Sequence, residues 1–272
     1  MTADLAALGA ELRRLERVVV AFSGGADSAF LAWMANETLG PAATLAVTAV
    51  SPSLAPSERD DCAALAAEWG LRWTAVETDE LASPAYVANG SDRCAHCKTE
   101  LMDAIGPLAA GEGATVVLGV NVDDLGDHRP GQEVAASRGA AFPLVEAGFT
   151  KADVREASRR LGLRTWDKPA AACLASRIPH GTPVTLRTLD RVAAAEEALR
   201  ALGFRQLRVR HYGDVARVEL EPADLAIAVE RRADVVAAVR GAGYRYVTLD
   251  LEGFRSGNLS PAPEPAPPPS TG

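Results

Sequence analysis

Apolar and polar positions along the first two thirds of the chain follow two periods. Short runs of mostly β-branched residues have the length and composition of buried strands, and the longer stretches between them have the spacing of helices. The predicted strands are Val18–Phe22, Ala43–Val50, Leu71–Val76 and Thr115–Gly119. The predicted helices are an amphipathic one within Met1–Arg17, then Ala29–Leu39, Ser57–Trp69 and Thr150–Leu161. Strands that alternate with helices predict an α/β fold with a doubly wound parallel sheet.

Two of these helices have recognisable capping residues. Ser57 is the expected N-cap of its helix, with Asp60 in the capping-box position. Thr150 is the expected N-cap of the later helix, and Gly162 follows that helix as its C-terminal glycine. Both helices are therefore predicted to begin at a side chain that accepts hydrogen bonds from their first backbone N–H groups.

The pattern changes beyond Trp166. Pro and Gly punctuate residues 168–183, which predicts an irregular loop that contains Cys173. A smaller α+β unit is predicted after it, with helices at 188–202 and 223–239, a hairpin of 206–211 with 216–221, and a strand at 244–251. The proline-rich end, 261–272, predicts disorder. The expected organisation is a domain at 1–165, a second domain at 166–258 and a disordered tail at 259–272.

Composition narrows the class of protein. The 272 residues are 48% apolar and 24% charged, which is typical of a soluble globular protein with room for two domains. A net charge of −8 argues against nucleic acid as a partner, and no apolar run is long enough to span a bilayer. We therefore expect a cytoplasmic protein with no membrane partner, in which the four cysteines stay reduced and serve as ligands, nucleophiles or core residues.

The first predicted strand ends in Ser23-Gly24-Gly25-Ala26-Asp27-Ser28, directly before a helix. Such a turn is an anion site, because free backbone N–H groups and the helix dipole converge there. No Gly-Lys-Ser/Thr follows, which excludes the phosphate loop of kinases and GTPases. The pattern matches the pyrophosphate loop of enzymes that cleave ATP between its α and β phosphates. The simpler alternative is a tight turn with Asp27 or Ser28 as a helix cap.

A carboxylate beside a phosphate site implies a cation between them. Asp27 is therefore the expected magnesium ligand, since Mg²⁺ is usually held by one or two carboxylates and the phosphates. A second acidic group follows the strand that ends at Gly119, at the same edge of the predicted sheet: Asp123, Asp124 and Asp127. These three are either further ligands of the same metal or an ordinary solvated loop.

The cysteines offer a second chemistry. Cys94 and Cys97 form a Cys-x-x-Cys step, and Cys173 is the natural third member because it lies in a small-residue loop. Cys62 falls inside a predicted amphipathic helix and reads as core. The pair alone suits a redox dithiol, whereas three thiolates suit an iron–sulfur cluster with one open iron, or zinc completed by His96. Spacing alone does not choose between these.

Arg208 and Arg210 lie two residues apart on a predicted strand, so both side chains emerge on one face. Adjacent guanidiniums repel each other unless an anion joins them, which favours a phosphate or carboxylate partner. The alternative is an exposed strand face with two solvated arginines. His211 points to the other face and reads as structural.

Together these segments resemble one family, the LarE ATP-dependent sulfur transferases that make the thiocarboxylates of the nickel-pincer nucleotide cofactor. The first motif is shared by many adenylating enzymes, whereas the segment around Cys173 is far more particular to this family. The matching segments are 23–28, 93–101, 119–131, 166–181 and 254–257.

The resemblance implies roles for individual residues. The pyrophosphate loop would hold ATP and magnesium through Ser23, Gly24, Gly25, Asp27 and Ser28. The phosphate of the nucleotide substrate would be bound where this chain has Arg208, Arg210 and Glu219. Cys173 corresponds to the sulfur-handling cysteine, and Lys98 to a lysine near the active centre. The family substrate is a pyridinium dicarboxylate mononucleotide, and family members form hexamers built from trimers.

The family resemblance also implies two chemical styles. Members with a single cysteine at the position of Cys173 give up its sulfur and are left with dehydroalanine after one turnover. Members that also have the Cys-x-x-Cys pair use three cysteines to hold a [4Fe–4S] cluster whose open iron carries the transferable sulfide. With Cys94, Cys97 and Cys173, this chain resembles the second kind.

Three other functions remain open from the sequence. A transfer-RNA thiolase shares the pyrophosphate loop and also uses three cysteines, but the extra zinc-finger cysteine pairs and a basic excess are missing here. An amidating ligase such as NAD synthetase would not need the three cysteines. A nucleotide-binding sensor without catalysis would leave all of them unexplained.

Overall fold

The structure, a computed structural model, describes residues 4–126, 130–168 and 173–255. The chain divides into two compact units, each with its own sheet. The first comprises Met1–Ala175 and His180–Leu189, and the second comprises Ser176–Pro179 and Asp190–Gly272. Asp127, residues 169–172 and the proline-rich tail lie outside the described residues.

The first unit contains a parallel sheet, as the alternation of strands and helices predicts. Its strands are β1 (Val18–Ala21), β2 (Thr44–Val50), β3 (Trp73–Glu77) and β4 (Thr115–Leu118). Their order is β3-β2-β1-β4, and every neighbouring pair is parallel. The predicted α/β fold is confirmed.

Helices cover both faces of this sheet. They are α1 (Leu5–Leu15), α2 (Ala26–Leu39), α3 (Pro56–Glu68), α4 (Pro84–Val87), α5 (Arg93–Glu112), α6 (Pro130–Ser137), α7 (Pro143–Glu146) and α8 (Lys151–Arg160). Alternate residues of β1 serve opposite faces: Val18 and Val20 pack in the core with α1, α2 and α3, whereas Val19 packs with α5. Burial on both faces explains why the strand reads as a continuous apolar run.

The strand order places a crevice at the ligand-binding end of the sheet. The chain leaves β1 toward β2 on one side, and β4 joins β1 on the other. In open parallel sheets, ligands bind beyond the carboxyl ends of the strands where the strand order reverses. The loop that begins at Ser23 lies at this position, because it follows β1 directly.

The second unit contains a three-stranded sheet of β5 (Leu207–Tyr212), β6 (Val215–Leu220) and β7 (Tyr246–Leu249). β5 and β6 form the predicted antiparallel hairpin, and β7 pairs with β6 in parallel. Helices α10 (Leu225–Glu230) and α11 (Arg232–Gly241) follow β6, while α9 (Leu186–Ala201) contains the boundary between the units. The core of this unit includes Val209, Val218 and Val239, all fully buried.

Local geometry corrects two predictions and confirms a third. Ser57 is not a helix cap: α3 begins at Pro56, with Ala55 as N-cap and no side-chain cap, because proline at the first position fixes the helical φ and has no N–H. The single helix predicted at 223–239 is interrupted at Arg231. Thr150 does cap α8, in a capping box with Asp153.

The 20-residue helix α5 was not anticipated from the sequence. It begins directly before Cys94 and contains Pro107, a residue that normally interrupts helices. Among the helices that the structure describes, none is long and apolar enough to cross a membrane.

Candidate active site

The turn after β1 is built on two glycines. Gly24 has φ +69°, a left-handed conformation that favours glycine, and Gly25 is the N-cap of α2 without any side-chain cap bond. Asp27 and Ser28 therefore occupy the second and third positions of the helix. The alternative of Asp27 or Ser28 as the helix cap is wrong, because Gly25 is the N-cap.

Ser28 closes the turn on itself. Its Oγ accepts a hydrogen bond from the backbone N–H of Ser23 (3.2 Å), donates one to the carbonyl of Gly25 (3.2 Å), and lies 3.0 Å from Ser23 Oγ. These bonds fix the loop before a ligand arrives. The first backbone N–H groups of a helix have no partner within the helix, so this end of α2 presents oriented donors to an anion.

A relay of side chains supports the start of the loop. Trp73 Nε1 donates to Thr48 Oγ1 (2.9 Å), and Thr48 Oγ1 donates to the carbonyl of Phe22 (2.7 Å). Cys62 is fully buried beneath the loop, which confirms its prediction as core, and burial raises the pKa of its thiol to about 11. A Cβ on Gly24 would lie 2.8 Å from Cys62 Sγ. The packing therefore requires glycine at position 24.

A second strand end supports the loop from the other side. Gly119 directly follows β4, and a Cβ added there would lie 2.7 Å from the backbone nitrogen of Ser28. The backbones of the two strand ends approach so closely that no side chain fits between them. The position of the pyrophosphate loop thus depends on Gly119 as well as on Gly24 and Gly25 within the loop.

A cavity of about 260 Å³ opens at these strand ends. Its lining includes Phe22, Ser23, Gly25, Asp27, Ser28 and Lys98. Asp27 accepts a hydrogen bond from Asn121 Nδ2 (3.2 Å), and burial raises the pKa of its carboxyl despite Lys151 and Asn121. A carboxylate held in this way is stabilised by a cation, and the donor set fits Mg²⁺ with bound phosphates.

The acidic loop after β4 has structural tasks. Asp123 accepts a hydrogen bond from the backbone N–H of Lys151 (2.8 Å) at the start of α8, and Asp124 accepts one from the N–H of Asn121 (3.2 Å). Asp124 also raises the pKa of Asp27 slightly, after burial as the main cause. These two carboxylates therefore fix the loop that carries Asn121 beside Asp27.

Helix α5 brings the cysteine pair to the same unit. Cys94 and Cys97 lie in its first two turns, and Lys98, the next residue, lines the cavity at the pyrophosphate loop. Burial lowers the pKa of Lys98, while Cys97 and Cys94 oppose that shift. The lysine thus links the cavity and the thiols electrostatically.

The third cysteine belongs to the same group. Burial raises the pKa of the Cys97 thiol to about 12, and the next contributions come from Cys173, Glu80 and, more weakly, Cys94. Cys94 and Cys173 are exposed, whereas Cys97 is half-buried. In the described part of the chain, no three His, Cys, Asp or Glu side chains are arranged to hold a single metal ion. The fold nonetheless brings Cys94 and Cys173 within electrostatic range of Cys97.

Sequence reasoning missed three neighbours of these thiols. Glu80 is 5% exposed, its Oε1 lies 3.8 Å from Cys97 Sγ, and its Oε2 has no hydrogen-bond partner among the described residues. Tyr86 and Ser53 share a hydrogen bond of 2.5 Å between buried hydroxyls. Burial raises the pKa of Tyr86, and Cys173 raises it further. The one available signal was the position of Ser53 and Glu80 just after strands β2 and β3.

The arginine pair lies in the second unit, and both side chains are buried, so the alternative of an exposed strand face is wrong. Arg210 makes a two-bond pair with the fully buried Glu219 (3.0 and 2.9 Å), and Arg177 makes one with Glu196 (2.8 and 3.0 Å). Glu219 therefore fixes a guanidinium. Such fixed pairs present their remaining N–H groups in set directions.

Arg208 completes this cluster. Burial, Arg177 and Arg210 lower its pKa to about 10, and its guanidinium lies 5.0 Å from the centre of the Phe254 ring. Three buried guanidiniums, of Arg177, Arg208 and Arg210, face two buried carboxylates, of Glu196 and Glu219. Among the residues that the structure describes, the buried charges of this cluster therefore sum to plus one (3 − 2 = 1), which suits a phosphate ligand.

Replacing Gly119 with alanine should disturb the pyrophosphate loop. The added methyl group would clash with the Ser28 backbone, and overpacking of this kind costs about 1–3 kcal/mol. We expect the affinity for ATP, measured by calorimetry, to fall about tenfold or more. Gly106→Ala is the control, because nothing lies within 4 Å of that position. Equal ATP affinity of Gly119→Ala and the wild type would contradict this account.

The reactivity of Cys97 should depend steeply on pH in metal-free protein. A pKa of about 12 against an ordinary 9.0 is a difference of three units (12 − 9 = 3), which lowers the thiolate fraction near neutral pH about 10³-fold. Alkylation of Cys97, followed by peptide mass spectrometry, should accelerate about tenfold per pH unit between about pH 7 and 10. A plateau within that range would contradict the burial of this thiol.

Comparisons with known proteins agree with this geometry. A family model described as NAD synthase matches residues 9–101, which include the pyrophosphate loop. An uncharacterised protein of Synechocystis sp. is 46% identical, covering 90% of this chain and 92% of that protein. Pyridinium-3,5-bisthiocarboxylic acid mononucleotide synthase of Lactiplantibacillus plantarum is 39% identical, covering 94% and 93%. An uncharacterised protein of Methanocaldococcus jannaschii is 24% identical over 89% of this chain. The chain therefore belongs to the LarE family of ATP-dependent sulfur transferases, together with the synthase of Lactiplantibacillus plantarum.

Proposed function

We propose that this protein uses ATP to adenylate a carboxylate of pyridinium-3,5-dicarboxylate mononucleotide and then converts that carboxylate to a thiocarboxylate. The observation that carries the proposal is the placement of Lys98. It lines the cavity of the pyrophosphate loop and interacts electrostatically with Cys94 and Cys97, and Cys97 in turn interacts with Cys173. One unit thus combines an ATP site with three thiols, as activation followed by sulfur transfer requires.

The pyrophosphate loop performs the activation step. The substrate carboxylate attacks the α-phosphorus of ATP, a new P–O bond forms, and pyrophosphate leaves with the electrons of the broken P–O bond. Backbone N–H groups at the start of α2, fixed by the Ser23 and Ser28 bonds, stabilise the charge on the leaving pyrophosphate. Asp27 would hold Mg²⁺, which supplies further charge neutralisation when bound. Lys98 provides a positive charge within the same cavity.

The sulfur step uses the activated carbonyl. A sulfur nucleophile forms the C–S bond, and AMP leaves with the electrons of the broken C–O bond. Cys94, Cys97 and Cys173 would hold a [4Fe–4S] cluster, which would supply a transferable sulfide at its open iron. A donor set of three thiols suits such a cluster, and the resemblance of this chain to the three-cysteine members of the family favours the cluster over zinc completed by His96. The chain keeps Cys97 and Cys173 close to one another in one unit.

The second unit would bind the phosphate of the nucleotide substrate. Arg208 and Arg210 are the proposed contacts, and Glu219 acts by fixing Arg210 through its two-bond pair. A buried excess of positive charge attracts a dianion more strongly than exposed arginines would, since screening by water is weaker there. Binding energy at this remote group orients the carboxylate for reaction.

Several finer points are part of the same proposal. The nucleotide domain would extend over 1–165 and the sulfur-transfer and substrate domain over 166–258, with 259–272 as a linker-like tail. The protein would act in the cytoplasm as a hexamer built from trimers. Family membership favours sulfuration of a carboxylate over transfer-RNA thiolation or amidation, although the NAD synthase model matches the nucleotide-binding part.

Product and mass analysis tests the reaction and its sulfur source together. Protein reconstituted anaerobically with iron and sulfide is expected to convert ATP and the pyridinium dicarboxylate to AMP, pyrophosphate and thiocarboxylate. The intact mass of the polypeptide should be unchanged after turnover, because Cys173 would keep its sulfur and remain a cluster ligand. Release of ADP would contradict the pyrophosphate-loop assignment. Loss of one H₂S from Cys173 would instead establish the sacrificial mechanism.

Replacement of Arg208 with alanine tests the phosphate site. A hydrogen bond to a charged group contributes about 1.5–3 kcal/mol, so the KM for the mononucleotide should rise about 10- to 100-fold while the KM for ATP stays unchanged. Arg245→Ala serves as the control, because Arg245 is an exposed arginine of the same unit. An unchanged KM for the mononucleotide in folded Arg208→Ala protein would remove the phosphate role.

A further inference from the structure

Two hydrogen bonds, made by the two residues immediately after Cys173, fix this segment of the chain. The N–H of Leu174 donates to the carbonyl of Ser53 (2.8 Å), and the carbonyl of Ala175 accepts a bond from Arg93 Nη1 (3.0 Å). Ser53 precedes Leu54, which lines the nucleotide cavity, and Arg93 is the first residue of α5. Two adjacent backbone groups thus tie the cysteine loop to the nucleotide side and to the cysteine helix.

Arg93 is unusual in its choice of partners. It is 6% exposed, and its Nη1 donates to Asn89 Oδ1 and to the Ala175 carbonyl, both uncharged acceptors. The described residues place no carboxylate within ion-pair distance of this guanidinium. Buried arginines are normally paired with an anion, because desolvation of the charge is costly. We therefore explain the burial of Arg93 by its hydrogen bonds, which join α5 to Asn89 and to the segment that follows Cys173.

Asn89 joins the same segments from a strained position. It is fully buried with φ +56°, and its Nδ2 donates to the carbonyl of Thr182 (2.8 Å). Its own carbonyl accepts the N–H of Gly181 (3.0 Å). Asparagine tolerates the left-handed conformation better than most residues, but at some cost. Asn89 therefore connects the chain between α4 and α5 to Gly181 and Thr182, which lie beyond the turn at Leu174.

We propose that Asn89 and Arg93, together the Asn89–Arg93 clamp, are positioning residues that hold the Cys173 segment at a fixed spacing from Cys94 and Cys97. Arg93 precedes Cys94 directly and lies one helical turn before Cys97, while its acceptor Ala175 lies two residues beyond Cys173. The clamp therefore connects the two cysteine-bearing segments through a single side chain. Its importance for sulfur transfer rests on the proposed function, but its existence as a clamp does not.

The need for a clamp follows from the placement of the cysteines on two separate segments. Cys94 and Cys97 lie in α5, whereas Cys173 lies in the segment that the bond from Arg93 to the Ala175 carbonyl holds against that helix. Ligands whose positions are fixed by outer hydrogen bonds bind metals more tightly, often by 10- to 100-fold.

Hydrogen exchange of the full-length, metal-free protein tests the clamp itself. In Arg93→Gln, peptides from residues 174–184 should exchange about tenfold faster than in the wild type. The substitution removes the bond from Arg93 to the Ala175 carbonyl, so this segment opens more often. Arg17→Gln is the matched control: Arg17 also donates to a backbone carbonyl of α5, that of Glu112 (2.8 Å), at the opposite end of the helix. Equal protection of residues 174–184 in folded Arg93→Gln and wild type would overturn the proposal.

Two substitutions of Asn89 separate the side chain from the backbone strain. Asn89→Asp retains the acceptor for Arg93 but loses the Nδ2 donor to the Thr182 carbonyl, whereas Asn89→Gly retains the left-handed backbone and loses both. We expect the aspartate variant to keep the protection beside Leu174 and to lose it only near Thr182, and the glycine variant to lose protection in both places. Protection in Asn89→Gly equal to that of the wild type would show that backbone conformation alone holds the loop, which contradicts the clamp. These variants also test the clamp if Arg93→Gln does not fold.

Iron retention links the clamp to the sulfur site. After anaerobic reconstitution with iron and sulfide, Arg93→Gln should lose iron to a chelator about 10- to 100-fold faster than the wild type, and Arg17→Gln at the wild-type rate. Equal iron loss from folded Arg93→Gln and wild type would contradict the positioning role. A wild-type protein that builds no cluster would contradict the proposed sulfur source instead, while the exchange experiment still decides whether the clamp exists.

Discussion

The site depends on the close approach of two backbones, those of Gly119 and Ser28. A Cβ between them would lie 2.7 Å from a nitrogen, so the end of β4 and the start of α2 form a single surface. This contact places Val120 and Asn121 beside the pyrophosphate loop, where Asn121 bonds to Asp27. Open parallel sheets in general bring the carboxyl ends of their strands to one edge. In this protein Gly119 determines how closely the end of β4 approaches the start of α2. The nucleotide cavity is a consequence of that distance.

The thiols face the opposite physical problem, because groups that must act together repel each other once ionised. Burial and the neighbouring Cys173 and Glu80 hold Cys97 in its protonated form when no cation is bound. A cationic iron centre would reverse this preference, since metal-bound thiols lose their protons. The proposed cluster would therefore remove the repulsion that disfavours free thiolates in this arrangement. Glu80, with one oxygen lacking a partner in the described residues, belongs to this environment.

The sequence predicted the parts of the molecule that local rules determine. Continuous β-branched runs identified β1 and β4, and the glycines of the turn identified the anion site, because only small residues allow that backbone. The missed cap at Ser57 and the break at Arg231 show the limit of such rules, since Pro56 fixed one helix start and the backbone at Arg231 departs from helical geometry. Contacts such as Arg93 with Ala175 join residues 82 positions apart, and no periodicity encodes them.

The arginine cluster shows why a residue's role needs its partners and not only its position. The family resemblance implies that Arg208, Arg210 and Glu219 bind one phosphate, yet a carboxylate would repel that ligand. Both carboxylate oxygens of Glu219 instead accept hydrogen bonds from arginines. Arg210 donates two of these bonds, and Arg217 donates a third (2.9 Å). Its effect on an anion is therefore indirect, because it holds the guanidinium plane in place and removes its rotational freedom before binding. Glu196 serves Arg177 in the same way. The two acids lower the net charge of the cluster but increase its order, and a phosphate site of fixed geometry needs both.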